Sequence, residues 1–160
     1  MDAIECGKDL EYVGFWARVG ATILDTLLIA LITIPSLVSI YGVEYFDSDK
    51  TGLIAGPSDF LISWVFPFVL TVLFWVWRQA TPGKMIVSAH VVDAKTGKSI
   101  SVGQAMGRYV AYFLSMLPLG LGLIWVAIDP RKQGWHDKVA GTVVVRHRRA
   151  GSHPVTFEKE

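Results

Sequence analysis

Residues 19–43 read VGATILDTLLIALITIPSLVSIYGV, and Asp25 is the only charged residue among them. A run of this length and composition predicts a helix that spans a bilayer, because about 20 apolar residues cross the hydrocarbon core. A carboxylate inside such a helix costs about 2.5–3.5 kcal/mol even on a lenient insertion scale, so it normally faces protein or water and has a polar partner. Asp25 is therefore the first candidate functional residue.

Two further apolar segments follow, at about residues 60–77 and 109–128. The second meets the minimum length for a span and has tryptophans near both ends, which is typical of interfacial anchors. The third contains Pro118 followed by two nearby glycines, a pattern that breaks a helix. We therefore expect an α-helical membrane protein with three apolar segments, the third of them kinked or re-entrant.

Residues 85–102 predict a small β-hairpin, because β-branched residues precede a turn signal at 94–98. The valine run at 142–145 predicts another strand, which could join the hairpin and stabilise it. Pairing requires both pieces on one side of the membrane. This favours a re-entrant third segment with both termini inside over a plain third span with an exterior tail.

The charges of the connecting segments predict an orientation. Residues 44–59 carry four acids and one lysine, whereas residues 78–108 carry five basic residues and one acid. Basic connections prefer the cytoplasmic side, so the hairpin is expected there. These features predict a multi-pass integral protein of the cytoplasmic (inner) membrane.

The composition also predicts the domain organisation. The chain has 160 residues, of which 52% are hydrophobic and 18% charged, enough for one domain. We expect an N-terminal tail at 1–12, a membrane domain at 13–149 and a disordered tail at 150–160. Cys6 is the single cysteine, which excludes an intramolecular disulfide. The acidic N-terminus does not resemble a cleavable signal peptide.

The sequence does not favour an enzyme or a metalloprotein. His136 lies beside Asp137, but nothing in the sequence positions a nucleophile near them. Zinc sites need three or four ligands, and neither a paired-cysteine motif nor a helix with two spaced histidines occurs. We expect no catalytic residue, no metal ion and no cofactor. The basic run at 146–149 favours contact with anionic lipid over nucleic acid.

Three blocks of sequence carry a family resemblance. They are GFWAR at 14–18 leading to Asp25, TPGK at 81–84 followed by VVD at 91–93, and DPRKQGWHDKVAGT at 129–142. Their content and order resemble the RDD family, named for one arginine and two aspartates. The resemblance implies an integral membrane protein whose arginine is Arg18 and whose aspartates are Asp25 and either Asp129 or Asp137. It also suggests transport, with sodium–proton exchange attributed to some members.

Arg18 precedes Asp25 by nearly two helical turns, so both side chains project from the same face and are expected to form a polar pair. The rise of about 10 Å between them requires Arg18 to bend inward or a water to bridge. Thr22 lies on that face and could complete a cation site, although membrane threonines more often bond to their own helix. Such a pair is equally consistent with a functional site and with a purely structural contact that holds the helix in place.

The first hypothesis is that the protein binds or transports a small cation, a proton or another small solute. Asp25 is then the protonatable or cation-binding group, Arg18 tunes it, and Asp129 or Asp137 is a second acid. The alternative is a non-transporting scaffold or accessory subunit whose buried charges fix helix register. The expected partners are the lipid bilayer and further copies of the chain, and no nucleic acid.

Overall fold

The computed structural model describes residues 9–47, 54–148 and 154–157. Its longest element is helix α1, Phe15–Tyr41, with 27 residues. At 1.5 Å per residue this helix is about 40 Å long, which exceeds the hydrocarbon core of a bilayer. It ends at Gly42, whose φ of +74° suits glycine. Three of its residues are buried, so most of its apolar surface faces outward, where lipid would cover it.

The second apolar segment is a helical run of three parts. Helix α2, Pro57–Phe60, continues through the π-helical turn Leu61–Val65 into helix α3, Phe66–Arg78. Pro67 has no N–H to donate to the preceding turn, which accounts for the widened π-helical turn before it. Helix α4, Pro82–Ile86, follows after a short break, and the stretch 57–86 is long and apolar enough to cross a membrane.

The third apolar segment is broken, as expected. Helix α5, Val102–Met116, and helix α6, Leu121–Ile128, meet at an angle of 100°. Helix α5 begins before the apolar run because Ser101 and Gln104 form a capping box at its N-terminus. By length and composition, the described residues therefore contain two candidate spans, or three if the bent pair counts as one.

A three-stranded antiparallel sheet joins distant parts of the chain. Strand β1, Leu10–Tyr12, and strand β2, His90–Asp93, both pair with strand β3, Thr142–His147, which lies between them. The strand expected from the tail is thus present. The prediction of a hairpin at 85–102 is wrong in two respects. Residues 85 and 86 belong to α4, and in place of a second hairpin strand there is one isolated β-bridge between Val92 and Ser99.

Both predicted tails contribute to the fold. Residues 10–12 lie within the expected N-terminal tail but form β1, where Leu10 is buried. Disorder at 150–160 is wrong for 154–157, since Val155 is buried and donates its N–H to the Leu10 carbonyl at 3.1 Å. The rest of that tail lies outside the described residues. Apolar packing against the sheet holds these segments, a contact that local composition does not reveal.

Candidate functional site

Asp137 is a buried carboxylate in the first turn of helix α7, Trp135–Ala140. Its Oδ2 accepts hydrogen bonds from the Gly134 N–H at 3.0 Å and from Arg18 Nη1 at 2.5 Å, and its Oδ1 pairs with Arg108 Nη1. Burial opposes ionisation, but the two guanidinium groups hold the pKa of Asp137 well below its usual value. We call Arg18, Arg108 and Asp137 the charge cluster.

Both arginines of the charge cluster have further partners. Arg18 donates from Nε to the Val13 carbonyl at 3.1 Å and from Nη2 to the Lys132 carbonyl at 2.6 Å. Arg108 donates from Nη1 to the Thr142 hydroxyl at 2.5 Å. The cluster therefore connects the start of α1 and the middle of α5 with α7 and with Thr142, the first residue of β3.

His136 packs beside this cluster. Its ring stacks on Tyr112 with centroids 3.9 Å apart, and its backbone N–H donates to Ser115 Oγ at 3.1 Å. Burial lowers the pKa of His136 to about 3; Asp137 opposes that shift, while the nearby Arg108 and Arg18 add to it. The imidazole is consequently neutral at pH 7.

The expected pair of Arg18 and Asp25 is wrong. Arg18 reaches Asp137, whereas Asp25 accepts hydrogen bonds from the Thr81 hydroxyl at 2.5 Å and the Gly83 N–H at 2.7 Å. The axial separation on α1 is the physical reason, because Arg18 finds acceptors and Asp25 finds donors on different neighbouring elements, each at its own depth. Asp25 therefore has protein partners, as the sequence requires, but they come from the start of α4.

Gly83 allows this contact because α4 lies very close to α1. A Cβ at Gly83 would lie 2.1 Å from the Ala21 carbonyl oxygen and 3.0 Å from Asp25 Cγ. Any side chain would push the two helices apart and remove the Gly83 N–H from Asp25. The TPGK motif at 81–84 thus supplies both donors to the carboxylate.

Lys84 is a buried ammonium group next to this site. Its Nζ lies 3.4 Å from Thr81 Oγ1 and 5.4 Å from the centroid of the Trp75 ring. Among the described residues, no carboxylate lies within 4.0 Å of this nitrogen. The indole Nε1 of Trp75 is also buried without a hydrogen-bond partner in the described part of the chain.

A cavity of about 240 Å³ connects these groups between α1, α3 and α5. We call it the polar cavity; its polar lining includes Thr22, Asp25, Thr71, Trp75, Thr81 and Lys84. A second cavity of about 380 Å³ is mostly apolar and is lined by Arg18, Thr22 and His136 among others. Thr22 therefore borders both cavities, while Thr26 donates back to the Thr22 carbonyl at 2.9 Å.

Asp129 lies apart from both cavities. Its Oδ1 pairs with Lys138 Nζ at 2.5 Å, and its Oδ2 accepts the N–H groups of Arg131 and Gln133 at 3.1 Å each. Burial alone would raise the pKa of Asp129, but these donors lower it overall. Asp129 thus fixes the turn before α7, and of the two candidate second acids it is Asp137 that contacts Arg18.

Sequence reasoning did not assign Lys84, Trp75 or Arg108 to the site. Arg108 lies directly before the third apolar run, where basic residues usually contact lipid headgroups, and Lys84 lies in the basic connection between the second and third runs. Trp75 appeared to be an interfacial anchor. The one available signal was the TPGK motif, which contains Lys84. No group of three or more potential metal-ligating side chains occurs in the described ranges.

Comparison with known proteins agrees with this architecture. The RDD family model matches residues 12–141. An uncharacterized membrane protein YteJ of Bacillus subtilis is 30% identical over 86% of this chain and 82% of its own length. The uncharacterized protein YxaI of the same organism is 30% identical over 82% of this chain and 95% of its own length. The uncharacterized protein RP437 of Rickettsia prowazekii is 24% identical over 87% and 98%, respectively. No solved structure matches this chain.

Proposed function

Since this chain belongs to the RDD family of membrane proteins, we propose that it is a multi-pass protein that binds a small solute in the polar cavity and moves it across the cytoplasmic membrane. Asp25 is the central polar group of the proposed site. The observation that carries the proposal is its position on α1, inside an apolar span and beside a cavity between helices. Ionisable groups at such positions mark substrate and ion pathways in membrane proteins.

The sheet supports an even number of crossings. Strands β1 and β2 both pair with β3, so residues 10–12, 90–93 and 142–147 share one side of the membrane. Two spans followed by a re-entrant α5–α6 pair satisfy this condition, and the bend of 100° suits such a path. The basic connection at 78–108 supports the cytoplasm as that shared side.

Sodium–proton exchange at Asp25 is one form of this proposal. Each Asp25 oxygen accepts one hydrogen bond, from the Thr81 hydroxyl or from the Gly83 N–H, and keeps a second lone pair, so a cation or proton would bind beside these donors. The described residues contain no group of three or more potential metal-ligating side chains, so a metal ion would depend on hydroxyl, carbonyl or water oxygens. This gives a metal ion less support than another small solute in the adjacent cavity.

Flux through purified protein tests the proposal. Reconstituted liposomes carrying an internal pH indicator would be exposed in turn to radiolabelled sodium, potassium and small organic solutes, so that uptake is measured both with and without proton coupling. We expect flux of at least one solute, and we expect Asp25→Asn to abolish it while the protein remains folded. Ser39→Ala is the matched control, because its hydroxyl bonds to its own helix at Pro35 outside both cavities. Absence of flux for every solute across pH 5–9 would reject transport.

The charge cluster favours a second candidate function, a scaffold or accessory subunit. Asp137 connects α1, α5 and α7 and is not in contact with the polar cavity. A scaffold requires such a tie but no transported solute. In that case Asp137→Asn should lower membrane abundance and assembly, whereas Asp25→Asn liposomes should behave like wild-type liposomes in every flux assay.

A further inference from the structure

Two side chains of opposite charge, Asp25 and Lys84, line the polar cavity. They do not form an ion pair with each other, because within the described residues no carboxylate oxygen lies within 4.0 Å of Lys84 Nζ. A buried ammonium group without a paired carboxylate is costly, and a bound counter-ion is one way to remove the cost.

Lys84 is a buried cation for which the described residues supply no paired carboxylate. Asp137 pairs with both arginines, and Asp25 is already engaged by Thr81 and Gly83. An ammonium group has three N–H donors, of which Thr81 accepts one at the long distance of 3.4 Å. Lys84 therefore has donors to spare, and it lines the polar cavity.

Trp75 provides a second and independent indication of a ligand. Its side chain is 1% exposed, and its indole N–H has no acceptor among the described residues. Buried donors in proteins nearly always have a partner, and an orphan calls for an explanation. Trp75 lines the same cavity as Lys84, so one acceptor in that cavity could serve both.

The rest of the cavity lining decides the kind of anion. Ile29, Phe113 and Met116 form apolar walls, which favour a small organic molecule over an inorganic ion. A carboxylate carries one negative charge, which matches the single basic side chain of the lining, Lys84. The volume of about 240 Å³ restricts the molecule to a short carbon chain.

We propose that the polar cavity binds a small monocarboxylate, whose oxygens accept hydrogen bonds from the Lys84 ammonium and the Trp75 indole N–H. The short apolar part of the ligand packs against Ile29, Phe113 and Met116. This inference rests on the proposed function and names the class of solute. Thr81 links Lys84 to Asp25, since its hydroxyl accepts a hydrogen bond from the ammonium and donates one to the carboxylate.

Thermal unfolding of the detergent-purified protein tests this assignment. We expect sodium butyrate to raise the melting temperature in a saturable manner, since a ligand that binds only the folded state stabilises it. Sodium chloride at equal concentration and the neutral analogue butyramide should have no such effect. Equal shifts with chloride and butyrate would overturn the proposal. If octanoate raises the melting temperature more than butyrate does, the carboxylate belongs to a lipid-derived fatty acid. If octanoate raises it equally or less, the carboxylate belongs to a water-soluble metabolite.

Variants locate the effect within the molecule. Lys84→Met should abolish the butyrate shift, and Trp75→Phe should weaken binding about tenfold through the loss of one hydrogen bond to a charged group. The matched controls are Lys98→Met and Trp77→Phe, both exposed residues, which should bind like wild type. Should Lys84→Met fail to fold, Trp75→Phe still reports on the site. An undiminished shift in either cavity variant would overturn the proposal.

Flux measurements separate this inference from the proposed function. Butyrate binding with no solute flux in liposomes would keep the carboxylate site and reject transport. Flux that depends on Asp25, together with no response of the melting temperature to any carboxylate, would keep transport and reject the carboxylate.

Discussion

Arg108 on α5 and Asp137 on α7 form an ion pair in which the arginine side chain is 1% exposed and the aspartate side chain fully buried. Arg18 from α1 completes the arrangement on the other carboxylate oxygen. Buried pairs of this kind contribute little net stability over apolar packing, but removal of one partner leaves an uncompensated buried charge. Loss of either member should therefore be much more harmful than loss of a surface pair.

Asp137→Asn is expected to destabilise the protein by about 3–5 kcal/mol, because both arginines lose their counter-charge in a buried environment. Thermal unfolding in detergent and the yield of monodisperse protein would measure the loss. Lys138→Ala is the control, since the Lys138 side chain is 44% exposed and its pair with Asp129 should contribute less than about 1 kcal/mol. Equal losses in the two variants would contradict the role of the charge cluster.

Gly83→Ala should separate α4 from α1. The new Cβ would lie 2.1 Å from the Ala21 carbonyl oxygen, far inside van der Waals contact, so the backbone must move. We expect a marked fall in melting temperature and loss of any function that depends on Asp25. Gly107→Ala is the matched control, because a Cβ there meets nothing within 4 Å and alanine is about 1 kcal/mol better in a helix. A wild-type melting temperature for Gly83→Ala would disprove the close approach.

Stability should fall as the pH is lowered below 6.5. The folded protein keeps His136 neutral down to a pKa of about 3, whereas an unfolded histidine binds a proton below its ordinary pKa of 6.5. Between these values the unfolded state holds more protons, so acid favours unfolding by up to about 1.4 kcal/mol per pH unit. Asp137 acts in the same direction at lower pH, since its folded pKa is depressed and its stabilising charge is lost as acid titrates it.

His136→Phe would test the source of this acid sensitivity, because phenylalanine can keep the stacking on Tyr112 without titrating. Melting temperatures between pH 7.5 and pH 4.5 should change less for this variant than for wild type. His90→Gln is the matched control. Burial also lowers the pKa of His90, but its side chain is only half-buried, so it should contribute less to the change of melting temperature with pH. Identical pH profiles for His136→Phe and wild type would refute the assignment.

Lys84→Met should stabilise the ligand-free protein. The variant removes a buried ammonium group that has no carboxylate partner in the described part of the chain and replaces it with an apolar side chain of similar length. We expect a higher melting temperature than wild type in a carboxylate-free buffer, and no change for the exposed Lys98→Met. A lower melting temperature would mean that Lys84 is chiefly a structural partner of Asp25.

Both chain termini should lie on the cytoplasmic side, because β1 and β3 pair in one sheet. Reporters fused before residue 1 and after residue 160 should both give a cytoplasmic signal. A reporter inserted between residues 47 and 54 should give an exterior signal. An exterior signal from the C-terminal fusion would be incompatible with a re-entrant α5–α6 pair and with the three-stranded sheet.

Local sequence predicted the helices well but their ends less so. The apolar runs indicated α1, α3 and the broken third segment, since length and hydropathy decide whether a segment enters a bilayer. The start of α5 depended on the capping box at Ser101, a signal outside the apolar run. Strand β1 was missed because three residues carry too little pattern, and only pairing with β3 makes them a strand.

The need for a polar partner at Asp25 was evident from the sequence alone, because a carboxylate in a membrane-length apolar helix cannot face lipid without cost. Which donors satisfy it was decided by the tertiary structure, through the close approach of α4 at Gly83. The same holds for Arg18, whose partner lies 119 residues away on α7. Periodicity reports which face of a helix a side chain occupies, whereas an ion pair depends on which other helix packs against that face.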